Sequence, residues 1–461
     1  MIDPRIFRAY DIRGVAHTQI TVDACTKIGQ AFGAELKKRY SIPHPTVVVG
    51  RDARTHGPEL MQACIDGLVR AGARVLDIGI TMSPINYFTI ADATFDGGMQ
   101  ITASHNPKED NGIKLQTRGA EAFSGENLQR LREGIESEKW LVASDTLGSV
   151  EPYDAVTPYI ARLTSMFAGI GKGMKIAVDA GNGAAGPVSV RILREIGCEV
   201  TELYTEPDGT FPNHAADPSK YSTLQELQAV VKQKKLHVGL AFDGDGDRLG
   251  AVDQNGQIVT ADQLLLLFAE DHLRRIPGAT IVYTVSNSSL LETEVKKWGG
   301  RPVMCKVGHS FVEHTMHEHH ALLGGEQSGH FFLGEDYFSF DDAMVAALRL
   351  LSIVQQSGSS LSALISSFPA VYQMQEKRPA CPDDAKASVV ERATKHFQAM
   401  YPVATLDGAR IDFGDGAWAG IRYSNTSPCL SICIEARSEE RLKQVEAEVL
   451  EHMRTYGEVK W

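Results

Sequence analysis

Three stretches of the chain repeat one residue pattern, and the repetition narrows the available folds more than any other feature. PTVVVGRDARTHGPELMQACIDGLVRAGARVLDIGI from Pro45, MKIAVDAGNGAAGPVSVRILREIGCEVTELYTE from Met174 and ATIVYTVSNSSLLETEVKKWGGRPVMCKVG from Ala279 share it. Each runs from an apolar strand through a Gly/Asp/Ser loop and a helical segment to a second strand opened by glycine. Gly72, Gly197 and Gly299 take equivalent places. Each stretch is long enough for a βαβ crossover, and its Val/Ile-rich first strand suits a parallel sheet buried on both faces. Three related α/β domains are therefore expected.

The pattern changes after Ala370. Pro369, Pro379 and Pro382 mark a linker-like stretch, and the chain then closes on SEERLKQVEAEVLEHM. There Leu442, Val445, Val449 and Met453 form one apolar helical stripe, Ser438 is placed to cap its N-terminus, and Glu439 and Glu440 suit the first turn. The fold class expected is α/β: three related domains with mixed sheets over 1–151, 152–256 and 257–369, and a smaller α+β domain over 370–461. A length of 461 residues accommodates that number.

A net charge of −12 argues against a general nucleic-acid surface, which needs a basic face. No apolar run approaches the ~18 residues of a membrane span, and the start MIDPRIFRAYDIRG lacks the pattern of a secretory signal, so a cytoplasmic protein without membrane partners is expected. The seven cysteines are odd in number and scattered without a CxxC pair; they read as reduced thiols.

Four loops carry residues fit for chemistry. In VGLAFDGDGDRLGAV, Asp243, Asp245 and Asp247 alternate with Gly244 and Gly246, so three carboxylates can turn to one point at the carboxyl end of a strand, as a hard cation requires. An EF-hand is excluded, because Arg248 and Gln254 stand where its sixth-place glycine and twelfth-place glutamate belong. Arg248 either neutralises the aspartates or faces a phosphoryl group.

In MQITASHNPKEDNGIKL, Asn106-Pro107 forces an extended or turn conformation, which puts Ser104 and His105 on an exposed loop. Ser104 there caps the next segment of chain, or carries a phosphoryl group with His105 and Lys114 supplying charge or proton transfer. A hydrolase nucleophile is excluded, since neither this loop nor GEQSG matches G-x-S-x-G.

The tract GGEQSGH projects Glu326 and Ser328 between glycines, a composition suited to sugar hydroxyls. In GIRYSNTSP, the residues Arg422, Ser424, Asn425 and Thr426 either donate to one phosphate or form an ordinary turn. HTMHEHH is not H-E-x-x-H and reads as a solvated helical face.

FRAYDIRG at 7–14, TASHNP at 102–107, DGDGDR at 243–248, GEQSGH at 325–330 and RYSNTSP at 422–428 occur in this order over nearly the whole chain. Together they resemble the α-D-phosphohexomutases, in particular the bacterial phosphomannomutase/phosphoglucomutase branch. The resemblance implies four domains around a central cleft and interconversion of hexose 1-phosphate and 6-phosphate, of mannose or glucose, through a hexose 1,6-bisphosphate. It implies that Ser104 is a phosphoserine and that Mg²⁺ is held by Asp243, Asp245, Asp247 and an oxygen on Ser104. His105, Lys114, Arg248 and His330 would be catalytic, with Lys114 and His330 both candidates for proton transfer. Tyr10, Arg13, Lys306, His309, Glu326 and Ser328 would contact the sugar phosphate, and Arg422, Ser424, Asn425 and Thr426 the phosphate that is not reacting.

Two positions depart from the branch. Val285-Ser286-Asn287 stands where some relatives carry a basic residue, and Gln327 replaces a usual methionine. Because GGEQSGH is shared with phosphoglucosamine mutases, that activity is an alternative, while SNT in the last loop favours mannose and glucose. A regulator that binds sugar phosphates without catalysis is the alternative of another class. The partners implied are small phosphosugars, with the protein a monomer or weak homodimer.

Overall fold

The computed structural model describes residues 2–425 and 427–461. Packing divides the chain into two units: residues up to Leu264 together with Ser328–Leu364, and Leu265–Gln327 together with Ile365–Trp461. The chain carries three α/β domains and a smaller C-terminal domain of the same family.

In the first unit, strand Thr46–Arg51 runs parallel to Arg74–Ile80 in the register Val47↔Val75, joined by the helix Gly57–Arg70. The second repeat places Lys175–Asp179 parallel to Glu199–Leu203 through the helix Gly186–Glu195. In the second unit, Thr280–Thr284 and Arg301–Cys305 pair in parallel around the helix Ser289–Lys297. The three glycines that close these helices have φ of +87° at Gly72, +104° at Gly197 and +79° at Gly299. That left-handed turn strains any residue with a Cβ, so one backbone requirement produces the repeated glycine.

The sheets are mixed because the site-bearing loops sit between antiparallel strands. Gly97–Ile101 runs parallel to Thr46–Arg51 and antiparallel to Asp110–Thr117, so the chain turns back at residues 102–109. Val238–Phe242 runs parallel to Lys175–Asp179 and antiparallel to Leu249–Asp253, turning back at 243–248. Both strands that enter these turns are buried throughout.

The C-terminal domain is an antiparallel sheet in the order Tyr372–Lys377, Leu430–Ala436, Trp418–Tyr423, Ala409–Asp412, Val403–Ala404. The helices Lys386–Gln398 and Glu439–Met453 share its core through Val389, Phe397, Val445, Val449 and Met453. Ser438 caps the last helix by accepting the Arg441 N–H. Among the described residues no helix is long and apolar enough to cross a membrane, and all seven cysteines are free thiols in buried positions.

Candidate active site

Ser104 lies on the loop after strand Gly97–Ile101, as expected, but it is buried at 3% exposure instead of exposed. The reason is Gly244: a Cβ there would fall 2.4 Å from the Ser104 carbonyl oxygen, so glycine lets the aspartate loop close over the serine. The capping role is overturned as well, because the chain continues through turns into strand Asp110–Thr117 with no helix in between. Ser104 holds φ at +51°, a left-handed conformation costing a residue with a Cβ about 1–2 kcal/mol. Its Oγ donates to Asp243 Oδ2 at 2.7 Å and lies 3.0 Å from His105 Nδ1.

Asp243, Asp245 and Asp247 have no exposed surface. Asp243 Oδ1 accepts the N–H groups of Gly246, Asp247 and Arg248 at 3.0–3.1 Å, which fixes the loop. Asp245 Oδ2 accepts Ser83 Oγ at 2.5 Å and Lys114 Nζ at 2.8 Å, and Lys114 also pairs with Asp247 Oδ2. Burial, with Asp247 and Asp245 adding to it, pushes the Asp243 carboxyl well above the usual carboxylate range. Burial acts the same way on Asp247, but the cations Lys114 and Arg248 outweigh it and hold that carboxyl far below the range. Lys114 stays charged, since Asp245 and Asp247 overcome the burial that would deprotonate it.

The residues present fit a divalent cation. The three carboxylates each offer an oxygen, and those oxygens lie within 4.8 Å of one another. Asp245 Oδ1 and Asp247 Oδ1 are buried without a hydrogen-bond partner, although an orphaned buried oxygen costs about 1–3 kcal/mol. Two carboxylate oxygens left without hydrogen bonds in a low-dielectric interior suit a hard cation with oxygen preference.

His330 completes this cluster from the segment beyond Ser328. The backbones of Arg248 and His330 form an antiparallel bridge, and Leu249 N–H donates to Gly329 O at 3.0 Å. Arg248 Nε donates to His330 Nε2 at 2.9 Å, and His330 Nδ1 lies 2.6 Å from Asp341 Oδ2. An accepting Nε2 puts the proton on Nδ1, facing Asp341. Asp341 was not legible in the sequence: SFDDAM carries two adjacent aspartates, of which Asp342 caps the helix Ala343–Ser357 while Asp341 turns to the histidine. Arg13 is buried, donating to Asp11 at 2.5 Å and to Asn106 on the serine loop at 3.2 Å; Tyr10 is half-buried.

Ser328 is half-buried in the first unit, and the remaining expected residues lie in the second. Glu326 is buried and accepts the Gly308 N–H at 3.1 Å, immediately before His309 opens the helix His309–His319. Lys306 is exposed, 5.9 Å over the Phe311 ring. Asn425 Nδ2 donates to Val307 O at 3.1 Å, so the last loop meets this segment. Arg422 and Ser424 are buried at the end of strand Trp418–Tyr423; Thr426 lies outside the described residues. Arg378 donates to Ser424 Oγ at 3.1 Å and Lys386 to Ser424 O at 2.8 Å, two cations that sequence reasoning missed because each is far from the motif along the chain. His314, His317, His319 and His320 are exposed, as expected for a solvated face.

Comparison with known proteins covers the whole chain. The family descriptions phosphoglucomutase/phosphomannomutase alpha/beta/alpha domain I, II and III match residues 4–141, 157–256 and 260–372, and the C-terminal domain of that family matches 376–452. A phosphomannomutase/phosphoglucomutase of Pseudomonas aeruginosa is 41% identical over 441 residues, covering 95% of this chain and 93% of that protein. A phosphoglucomutase of Neisseria meningitidis serogroup A is 38% identical over 444 residues, 96% and 95% of the two chains. The crystal structure of a phosphoglucomutase/phosphomannomutase family protein from Burkholderia thailandensis superposes with a TM-score of 0.89 at 35% identity over 100% of both chains.

Proposed function

Because the chain belongs to the phosphoglucomutase/phosphomannomutase family, we propose that it interconverts hexose 1-phosphate and hexose 6-phosphate through a phosphoserine at Ser104 and a hexose 1,6-bisphosphate. The observation that carries this reading is the Ser104 hydroxyl, 2.7 Å from Asp243 in a buried carboxylate cluster with two orphaned oxygens. Mannose and glucose are the sugars favoured, in keeping with the names of the relatives above and with SNT in the last loop.

In the first half-reaction the bond between Ser104 Oγ and phosphorus breaks as one forms to a sugar oxygen, whose hydroxyl loses its proton; in the second the other sugar oxygen–phosphorus bond breaks, that phosphoryl group returns to Ser104 Oγ, and the released sugar oxygen takes up a proton. A phosphoserine carries about −1.5 to −2 charges, so transfer needs preorganised positive charge more than covalent chemistry. Mg²⁺ held by Asp243, Asp245, Asp247 and an oxygen on Ser104 would supply part of that charge. Lys114 and Arg248 supply the rest from fixed positions. Lys114, between two carboxylates, and His330, between Arg248 and Asp341, are the candidates to exchange a proton with the sugar hydroxyl. Glu326 and Ser328 orient the sugar hydroxyls. Arg422, Ser424 and Asn425, with Arg378 and Lys386 behind Ser424, hold the phosphate that is not transferred, each charge-assisted bond contributing about 1.5–3 kcal/mol.

Replacing Ser104 with alanine tests the reading. With a hexose 1,6-bisphosphate present, kcat is expected to fall by at least about 10³-fold, as for loss of a covalent nucleophile. Turnover near that of the unaltered protein would reject the phosphoserine. A regulator without catalysis would bind the bisphosphate yet leave Ser104 unlabelled by it.

A further inference from the structure

Arg54 has no exposed surface and heads the fully buried side chains by volume among the described residues. It stands in VVVGRDARTHG, where charge pattern alone gives it no role. All five guanidinium N–H bonds find an acceptor. Nε donates to Asp52 Oδ2 at 3.1 Å, Nη1 to the carbonyls of Pro107 at 2.6 Å and Asp110 at 2.9 Å, and Nη2 to those of Ser104 at 2.9 Å and Asn106 at 2.7 Å. Four of the five acceptors are thus main-chain oxygens, three on the loop that carries Ser104 and one on the first residue of the strand after it.

The other side of Ser104 is held by the same pair. Asp52 Oδ2 accepts Thr102 Oγ1 at 2.7 Å, and Thr102 Oγ1 in turn accepts the Ser104 N–H at 2.8 Å. The peptide units before and after Ser104 are therefore both fixed, one through Asp52 and Thr102 and the other through Arg54. Fixing both fixes φ and ψ, and with them the direction of Oγ. This residue needs such a constraint, because its φ of +51° is one that a serine leaves when released. Asp52 neutralises the guanidinium, so the contribution is geometric rather than electrostatic.

We propose that Arg54 is a positioning residue for phosphoryl transfer, holding the left-handed backbone at Ser104 so that its Oγ faces the aspartate loop. The proposal rests on Ser104 being the phosphoryl carrier. It separates shape from charge: lysine keeps the charge but offers three donors to five acceptors.

The test uses Arg54→Lys and Thr102→Val in the full chain, with kcat and KM for glucose 1-phosphate, the melting temperature, and the rate at which ³²P-labelled phosphoenzyme passes its label to a hexose monophosphate. Thr102→Val removes only the hydroxyl that links Asp52 to Ser104 N–H and keeps the buried arginine. A misplacement of about 1 Å costs roughly 10²-fold in rate, so Arg54→Lys is expected to lower kcat and label transfer about 100-fold. Thr102→Val, the milder change, is expected to lower both about tenfold, with KM within about twofold and melting close to the unaltered protein. A folded Thr102→Val protein with unaltered kcat and label transfer overturns the proposal. So does a loss in both variants that only tracks the folded fraction. If Ser104 of the unaltered protein takes no label from ³²P-hexose 1,6-bisphosphate while turnover proceeds, the phosphoserine reading itself fails; labelling with unaffected variants removes the positioning role alone.

Discussion

The aspartate loop and the RYSNTSP loop, to which the proposed function gives phosphate chemistry, are built in opposite ways. Asp243, Asp245 and Asp247 have no exposed surface, and their loop is pinned by its own amides, by Ser83 and by Lys114. In the other loop Arg422 and Ser424 are buried, but Asn425 is half-exposed and Tyr423 is 37% exposed, and the cations behind Ser424 come from the flanking residues Arg378 and Lys386. The difference teaches where a dry, rigid interior is required. Charge developing in a transition state is stabilised best by groups that cannot reorganise, whereas a phosphate that only has to be held tolerates a wetter grip.

The sharpest way to break this comparison is to damage each loop in turn. Asp247→Asn is expected to lower kcat about 10²–10³-fold, the scale for losing one preorganised charge in a buried site, and to weaken the dependence on divalent cation. Activity titrated with Mg²⁺ measures both. Next in size is Asp341→Asn: the carboxylate charge beside His330 Nδ1 is lost, and kcat is expected to fall about 10–100-fold, the scale for outer-shell partners. Arg422→Gln should instead raise KM for the sugar phosphate about tenfold while kcat changes little. If it lowered kcat as much as Asp247→Asn does, the division between a reacting loop and a holding loop would collapse.

The smallest effect concerns stability of the C-terminal domain. His396 and His452 stack at 3.6 Å with an interplanar angle of 7°, and His452 lies 2.8 Å from the Tyr456 hydroxyl. Burial, then the neighbouring His396, lowers the His452 pKa from its usual value. A base depressed in the folded state favours folding fully above its unfolded pKa of about 6.5 and loses that contribution as pH falls from there through the folded value. Melting curves at pH 7.5 and pH 5.5 should therefore show a smaller acid loss for His452→Gln than for the unaltered chain. Equal losses would show that the pair does not sense the proton.

The repeated α/β units and the last helix were legible because their signals are local: buried Val/Ile strands, a glycine at each left-handed turn, Ser438 ahead of an apolar stripe. The aspartate triad was legible for the same reason, since its geometry lies within five residues of a strand end. Burial of Ser104 was not, because it depends on Gly244, 140 residues away, having no side chain. Arg54, Arg378 and Lys386 escaped for a related reason. Each acts on a loop remote in sequence, and charge pattern alone does not distinguish a buried arginine holding four carbonyls from a solvated one.

The central claim is that Ser104 and the DGDGD loop form one phosphoryl-transfer centre. Single-turnover transfer tests it most directly: Ser104 labelled from ³²P-hexose 1,6-bisphosphate is mixed with unlabelled glucose 1-phosphate and Mg²⁺, and loss of label is followed by rapid quench. The label is expected to leave Ser104 for the sugar at a rate no slower than kcat, and Asp247→Asn to slow this step as much as it slows turnover. A label that stays on Ser104 through many turnovers would contradict it.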